Sequence, residues 1–469
     1  MTTILIVGGD STIGAALNLQ LRRLGHDVFA TTRRASTLNG RRIYVDLRAP
    51  AHGVALPDCD VVVLCVALTG RAAEEAPELS QWINVTNTIA LAKRFHARGA
   101  FVVFLSSSGV FDGETPNPEV DTPTHPLGHY AEQKAAVERE LLALGDRIAI
   151  ARLTKIISKD SPLLAAWRAT LTTGEPIFPL SDYRFAPLSV GYVARALARL
   201  IERRAGGIWH FSPQDDLSYA QAALIIAAHM GVAAALVQPR TAEQTGIPPE
   251  GMPANAALGV ARSAAKLNLR VPVAKDALGT PAVFMSREGI ITQPLTPPID
   301  PQALTLLPGA AEAIARLKTA GYRVIVAANE PSIAKGTATE ADIAKVHEQL
   351  SKLLAAAGTA VDAYYICPHH PQAEVEAYRQ DCECRKPRAG MLFAARDTLG
   401  IEMAGSFIVG DNAADTPAGV RAGVQTILLK TTKVAPDSSD AIRNAEQIFA
   451  DADKICDDLS QAVNWILGE

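Results

Sequence analysis

Two blocks of this chain alternate short β-branched, apolar runs with amphipathic helical stretches. That alternation restricts the fold more than any other feature, because strand, crossover helix and strand in series build a parallel sheet covered by helices. In the first block the expected strands are 3–7, 27–31, 42–45, 61–65, 101–106 and 148–153, with helices such as 14–24 and 82–98 between them. From Pro162 the pattern becomes mixed, with helices at 190–203 and 219–229, and residues 238–256 read as a long loop. The second block begins at Pro281, with strands at 282–285, 323–327, 363–366, 406–409 and 425–429. A chain of 469 residues exceeds one hydrophobic core. The expected architecture is α/β: a doubly wound parallel sheet at 1–160, a small substrate-binding lobe at 161–275 and a second α/β domain at 280–469.

Composition narrows the setting. With 48% hydrophobic and 20% charged residues the chain reads as a soluble globular protein, and a net charge of -4 gives no reason to expect nucleic acid. Met1-Thr2-Thr3 lacks the basic start of a signal peptide, and no apolar run approaches the ~20 residues that span a bilayer. Six cysteines in so long a chain do not suggest a disulfide framework. Cys367, Cys382 and Cys384 lie close in sequence to His369, which reads as metal in a reducing cytoplasm.

Gly8-Gly9-Asp10-Ser11-Thr12-Ile13-Gly14 follows the first expected strand and opens the first helix. Such a Rossmann-type loop lets backbone N–H groups and a helix N-terminus meet a pyrophosphate. Gly8 and Gly14 keep the Gly-x-x-Gly-x-x-Gly spacing, with Ser11 at its middle position. The second strand runs into Arg33 and Arg34, where an NAD-selective site places an acid; arginines suit a 2′-phosphate and favour NADP over NAD, with ligand-free surface arginines as the alternative. Asp46 and Leu47 are candidates for the adenine side, Asp46 equally for a strand-end cap.

Tyr130 and Lys134 stand one helical turn apart, so they share a face. The lysine charge is expected to lower the phenol pKa from about 10 toward a useful acid–base value. Upstream, Phe104 to Gly113 reads as a strand ending in hydroxyls, one of which is placed to orient a substrate oxygen. In this order the residues resemble the extended short-chain dehydrogenase/reductase family. Ser107-Ser108-Gly109-Val110-Phe111-Asp112-Gly113 looks most like its dTDP-4-dehydrorhamnose reductase branch. The resemblance covers roughly 1–275 and implies a triad of Ser107, Tyr130 and Lys134, with Asn84 as the structural asparagine. It also implies a nucleotide-activated sugar as substrate, reduction or epimerisation at a ring carbon and, by analogy, a homodimer. The stretches 182–187 and 207–212 look like substrate-lobe motifs, and Arg152 to Lys155 either faces substrate or ends a buried strand.

In the second block, Cys367, His369, Cys382 and Cys384 supply the inventory of a closed tetrahedral zinc site, with no open position for catalysis. Asp411 and Asp415 follow an expected strand and suit magnesium, or else cap a helix; Lys386 is placed to neutralise a phosphate. Together with Cys-x-His…Cys-x-Cys-Arg-Lys-Pro, these residues resemble the haloacid-dehalogenase superfamily, in its histidinol-phosphate and heptose-bisphosphate phosphatase branch. The resemblance covers roughly 280–435 and implies a HAD-like domain with a zinc loop. That family carries Asp-x-Asp-Gly, whose first Asp attacks phosphorus and binds magnesium and whose second is the acid–base group. Here those positions are Ser286 and Glu288, and the Thr before Asn329 is Ala328. A neutral hydroxyl is a poor nucleophile and magnesium ligand without a base, and none is evident in the sequence nearby. The expectation is a phosphatase-like domain with little or no activity. The rivals are a bifunctional enzyme that also releases phosphate from a sugar (heptose) bisphosphate, and a non-catalytic dinucleotide or sugar-phosphate sensor.

Overall fold

The computed structural model describes the chain except for residues 35–36, 51–54, 70, 159–160, 247–252, 297 and 431–451. It divides into two compact units, Met1–Leu278 and Gly279–Glu469. The strands of the first are β1 (Thr3–Val7), β2 (Asp27–Thr32), β3 (Arg42–Tyr44), β4 (Val61–Leu64), β5 (Phe101–Ser107), β6 (Ile148–Leu153), β7 (Lys155–Ile157), β8 (Arg184–Phe185), β9 (Pro187–Ser189), β10 (Gly207–Phe211) and β11 (Leu217–Ser218). Seven of them form one sheet in the order β10-β6-β5-β4-β1-β2-β3, all parallel. The order reverses between β1 and β4, and ligands of such sheets bind beyond the carboxyl ends at that reversal. Strands β1, β4 and β6 are buried on both faces, which is why they read as continuous apolar runs rather than alternating ones.

The helices of this unit are α1 (Thr12–Arg23), α2 (Arg71–Glu75), α3 (Pro77–Gln81), α4 (Thr88–Ala97), α5 (His129–Leu142), α6 (Pro162–Thr172), α7 (Val190–Arg203), α8 (Tyr219–His229), α9 (Ala242–Thr245) and α10 (Ala261–Leu267). The stretch 82–98 is not one α-helix. Its first part, Trp82–Asn87, is π-helical, and Asn84 there accepts from the Leu68 N–H at 2.8 Å and donates to the Leu68 carbonyl at 2.9 Å and to Gln133 at 2.7 Å. Those bonds fix the wider turn against the segment after β4.

Two sequence readings need correction. The motif 207–212 does not belong to the lobe: Gly207–Phe211 is the edge strand β10 of the main sheet, parallel to β6, with Trp209, His210 and Phe211 buried. Helix α7, which leads into it, packs on α1. The lobe itself is smaller. It pairs β8 with β11 and β7 with β9 around Trp167, Leu171, Phe185 and Ile226, with the Tyr219 ring stacked 4.4 Å from that of Phe185. The expected loop 238–256 contains α9, which starts with a Thr241/Gln244 capping box; residues 247–252 of it lie outside the described residues.

The second unit has strands β12 (Ala282–Met285), β13 (Arg323–Asn329), β14 (Ala363–Cys367), β15 (Phe407–Gly410), β16 (Gln425–Leu429) and β17 (Lys454–Cys456). Its described helices are α11 (Ala310–Thr319), α12 (Pro331–Ala334), α13 (Glu340–Ala356), α14 (Gly390–Leu399), α15 (Asp415–Ala422) and α16 (Leu459–Leu467). The sheet is parallel throughout, in the order β14-β13-β12-β15-β16-β17. Strand β17 and helix α16 were not expected: a three-residue strand opening on a lysine carries almost no periodicity. The pair completes the core, where Val463 and Ile466 join Ile314 and Leu317 of α11. Among the described residues no helix is long and apolar enough to cross a membrane.

Candidate functional site

The glycine loop sits after β1 at the sheet reversal. Gly8 has φ +94°, and a Cβ on Gly14 would fall 2.3 Å from the Gly8 carbonyl oxygen, so both positions require glycine. Ser11 takes the middle position for a structural reason: its hydroxyl donates to the Gly8 carbonyl at 2.8 Å and accepts from the Gly14 N–H at 3.0 Å, capping α1. Thr12 and Ile13 form the first turn of α1, whose N-terminus faces the place of a pyrophosphate in such folds.

Arg33 and Arg34 are exposed just beyond the end of β2. The sequence missed a neighbour. Asp10 folds over that strand end, accepting from the Thr32 hydroxyl at 2.7 Å, the Arg33 N–H at 3.3 Å and Arg42 at 3.1 Å. Burial resists its ionisation, but Thr32, the Arg33 amide and the Arg34 and Arg42 charges outweigh it and hold the carboxyl below its usual range. Asp46 accepts from Arg48 at 2.9 Å, and Asn87 donates to the Leu47 carbonyl at 2.7 Å, so both residues are locally pinned after β3.

Helix α5 carries Tyr130 and Lys134 on successive turns. The Lys134 ammonium is buried, donates to the Leu105 carbonyl at 2.7 Å, and lies 4.5 Å from the Phe104 ring centroid and 5.6 Å from that of Tyr130. Ser107 ends β5 two residues later; its hydroxyl accepts from the Gly109 N–H at 3.1 Å. The expected lowering of the phenol does not occur in this state. Burial pushes the Tyr130 hydroxyl up to about 12, and burial pulls Lys134 down to about 8 against the charge of Glu138. Of the two readings of Arg152, the structure shows the buried strand end: it forms an ion pair with Glu138 at 2.7 Å.

In the second unit, the ligand atoms of Cys367, His369, Cys382 and Cys384 all lie within 4.8 Å of one another. Cys367 Sγ is 3.4 Å from Cys382 Sγ, and His369 Nδ1 is 3.3 Å from Cys384 Sγ. Three sulfurs and one imidazole converging at such distances fit a tetrahedral zinc ion with no vacant position. The buried end of β14 brings Cys367, and the turn before α14 brings the other pair.

At the carboxyl ends of β12 and β15 the phosphatase-like positions converge. Lys386 donates to Ser286 Oγ at 2.9 Å, to the Ala327 carbonyl at 2.6 Å and to Asp415 at 2.5 Å. Ser286 donates to Asp415 at 3.3 Å. A carboxylate therefore stands beside the serine, contrary to the sequence reading that no base lies near it, although Lys386 already claims that carboxylate. Asn329 brackets the Lys386 backbone with two bonds of 3.0 Å, fixing the lysine in place. The buried Arg287 guanidinium pairs with Glu330 at 2.7 Å and with Glu288 at 2.8 Å. Burial and then Asp415 raise the Asp411 carboxyl to about 6, with Lys386 opposing.

A family model described as RmlD substrate binding domain matches residues 1–281, more than half of the chain, and a HAD-hydrolase-like model matches 383–462. The D-glycero-beta-D-manno-heptose-1,7-bisphosphate 7-phosphatase of Salmonella typhi is 38% identical over 174 residues, which is 37% of this chain and 92% of that protein. Among solved structures, a dTDP-4-dehydrorhamnose reductase from Clostridium acetobutylicum is 22% identical with a TM-score of 0.51, covering 59% of this chain and 96% of that one. The Bacillus anthracis dTDP-4-dehydrorhamnose reductase, solved in complex with NADP, is 19% identical with a TM-score of 0.52, covering 59% and 97%. At those identities the likeness is one of fold. The chain belongs to the RmlD substrate binding domain family through its reductase-like first unit, which is joined to a HAD-like domain of the heptose-bisphosphate phosphatase type.

Proposed function

We propose that the chain is an NAD(P)-dependent reductase or epimerase of a nucleotide-activated sugar, NADP preferred, joined to a zinc-holding phosphatase-like domain with little or no phosphatase activity. One observation carries the reading: Tyr130 and the buried, carbonyl-anchored Lys134 share a face of α5 beside the strand that ends in Ser107. A bound nicotinamide supplies the hydride. The chain's own residues do the rest. Tyr130 exchanges a proton with the sugar oxygen, Lys134 stabilises the phenolate and holds the nicotinamide ribose, and Ser107 orients the substrate. A phenol as high as about 12 requires the lysine charge to act once cofactor and substrate complete the site. Gly8, Gly14 and the α1 N-terminus take the pyrophosphate, and Arg33 and Arg34 the 2′-phosphate.

In the second unit Ser286 is uncharged, Lys386 is committed to Asp415, and Glu288 is committed to Arg287. These bonds leave neither Ser286 nor Glu288 as a free anionic nucleophile and weaken any magnesium site to Asp411. The position of Asp415 beside Ser286 favours the bifunctional alternative, and phosphate release from D,D-heptose 1,7-bisphosphate decides between the two. For the first unit the test is NADPH oxidation across nucleotide-linked 4-keto sugars. Tyr130→Phe is expected to lower turnover by about 10²-fold or more while NADPH still binds. Binding without turnover in the wild type, unchanged by that substitution, would leave only a sensor.

A further inference from the structure

Glu138 continues the spacing of Tyr130 and Lys134 along α5, one further turn on. It is fully enclosed. Ser106 donates to it at 2.5 Å, Arg152 Nε at 3.1 Å and Arg152 Nη2 at 2.7 Å. Behind the guanidinium, His210 Nε2 lies 3.3 Å from Arg152 Nη1, and His210 Nδ1 lies 3.1 Å from the Gly259 carbonyl oxygen. Burial first and Arg152 second lower the imidazole to about 4, so it is neutral, donating to Gly259 and accepting from Arg152. The chain of contacts thus crosses α5, β5, β6 and β10, and Glu138 and Arg152 each keep only 3% of their side-chain surface exposed.

A buried ion pair is a weak device for stability, because well-packed apolar residues often do as well. Its position supplies another role. The groups facing Lys134 are Tyr130 and Glu138 from its own helix and Cys65 from the segment after β4, with Arg152 and His210 behind Glu138. Glu74 and Glu75 of α2 and Lys93 of α4, on helices packed against α5, are exposed. Glu138 is therefore the one buried carboxylate among those groups.

We propose that Glu138 is a positioning residue for the reductase chemistry: held by Ser106 and Arg152, it keeps the Lys134 ammonium charged beside Tyr130. The proposal rests on the reductase reading above and adds a residue that acts only through Lys134. Burial draws that lysine down toward neutrality, and the enclosed carboxylate one turn further along the same helix face resists it. Lys134 is cationic below its pKa, so cofactor binding is lost as pH rises through it.

The test is binding of NADPH and NADH to the full chain, followed by fluorescence from about pH 6 to about 9.5 around the lysine's titration. In Glu138→Gln the midpoint of the alkaline loss is expected to fall by about one pH unit, while Glu138→Asp keeps the wild-type midpoint. Arg152→Met works in the opposite direction: it strips the carboxylate of its counter-charge, so the midpoint rises. That variant decides the matter if Glu138→Gln does not fold. Equal midpoints in wild type and Glu138→Gln, or a fall in Arg152→Met, overturn the proposal alone. A wild type that binds neither nucleotide overturns the reductase reading, and this proposal with it.

Discussion

Asp411 shows how one side chain reports on its surroundings. Its carboxylate is set against Gly289, where φ is +80° and an added Cβ would lie 2.0 Å from Asp411 Oδ2. The folded state holds the Asp411 proton up to about 6, whereas the ordinary carboxyl value is 3.8. Stability is therefore lost as pH rises from 3.8 to about 6, and stays reduced above that. Asp411→Asn is expected to melt at a higher temperature than wild type at neutral pH in magnesium-free buffer, with the difference vanishing below pH 3.8. Thermal melts at several pH values measure this, and equal melting at neutral pH would contradict it. If magnesium does bind, its addition raises the wild-type melt and leaves the variant's unchanged.

Among the elements, the turn from β1 into α1 is the least tolerant. Gly14→Ala would drive a methyl group into the Gly8 carbonyl at 2.3 Å, against backbone that cannot swing aside. Overpacking of this kind costs about 1–3 kcal/mol. The variant is expected to lose NADPH affinity together with stability, read by fluorescence titration and a denaturant melt. The strand–helix units themselves were legible because central strands such as β1, β4 and β6 are buried on both faces and read as apolar runs, with amphipathic helices between them. Strand β17 was not legible, since Lys454, Ile455 and Cys456 gain strand character only by pairing with β16. The π-turn at Trp82–Asn87 was equally hidden, because bonds from Asn84 to Leu68 and Gln133 create it.

Across the whole molecule, each unit closes its own core: Leu5, Val62 and Phe104 in the first, Val283, Val326 and Phe407 in the second. Separate cores imply separate unfolding transitions. Calorimetry of the full chain is expected to show two, one raised by NADPH and the other lowered by a zinc chelator. The second shift follows because structural metal binding is folding free energy, and a zinc ion on the Cys–His quartet would tie β14 to the turn before α14. A single transition moved by both reagents would rule out independent units, and insensitivity to the chelator would remove the zinc assignment.

Residue types and local spacings were legible in the amino-acid order alone: a Gly8/Gly14 loop, a Tyr130/Lys134 helix face, a Cys–His quartet, and Ser286 and Glu288 after an apolar strand. Each is a short-range pattern, readable because strand and helix periodicity hold over a few residues. Their neighbours in space come from the fold. Asp10 lies over Thr32 and Arg33, Arg152 is buried on Glu138, and Asp415 touches Ser286 from 129 positions away. Charges and hydrogen bonds depend on distance in space, which sheet order sets and local spacing does not.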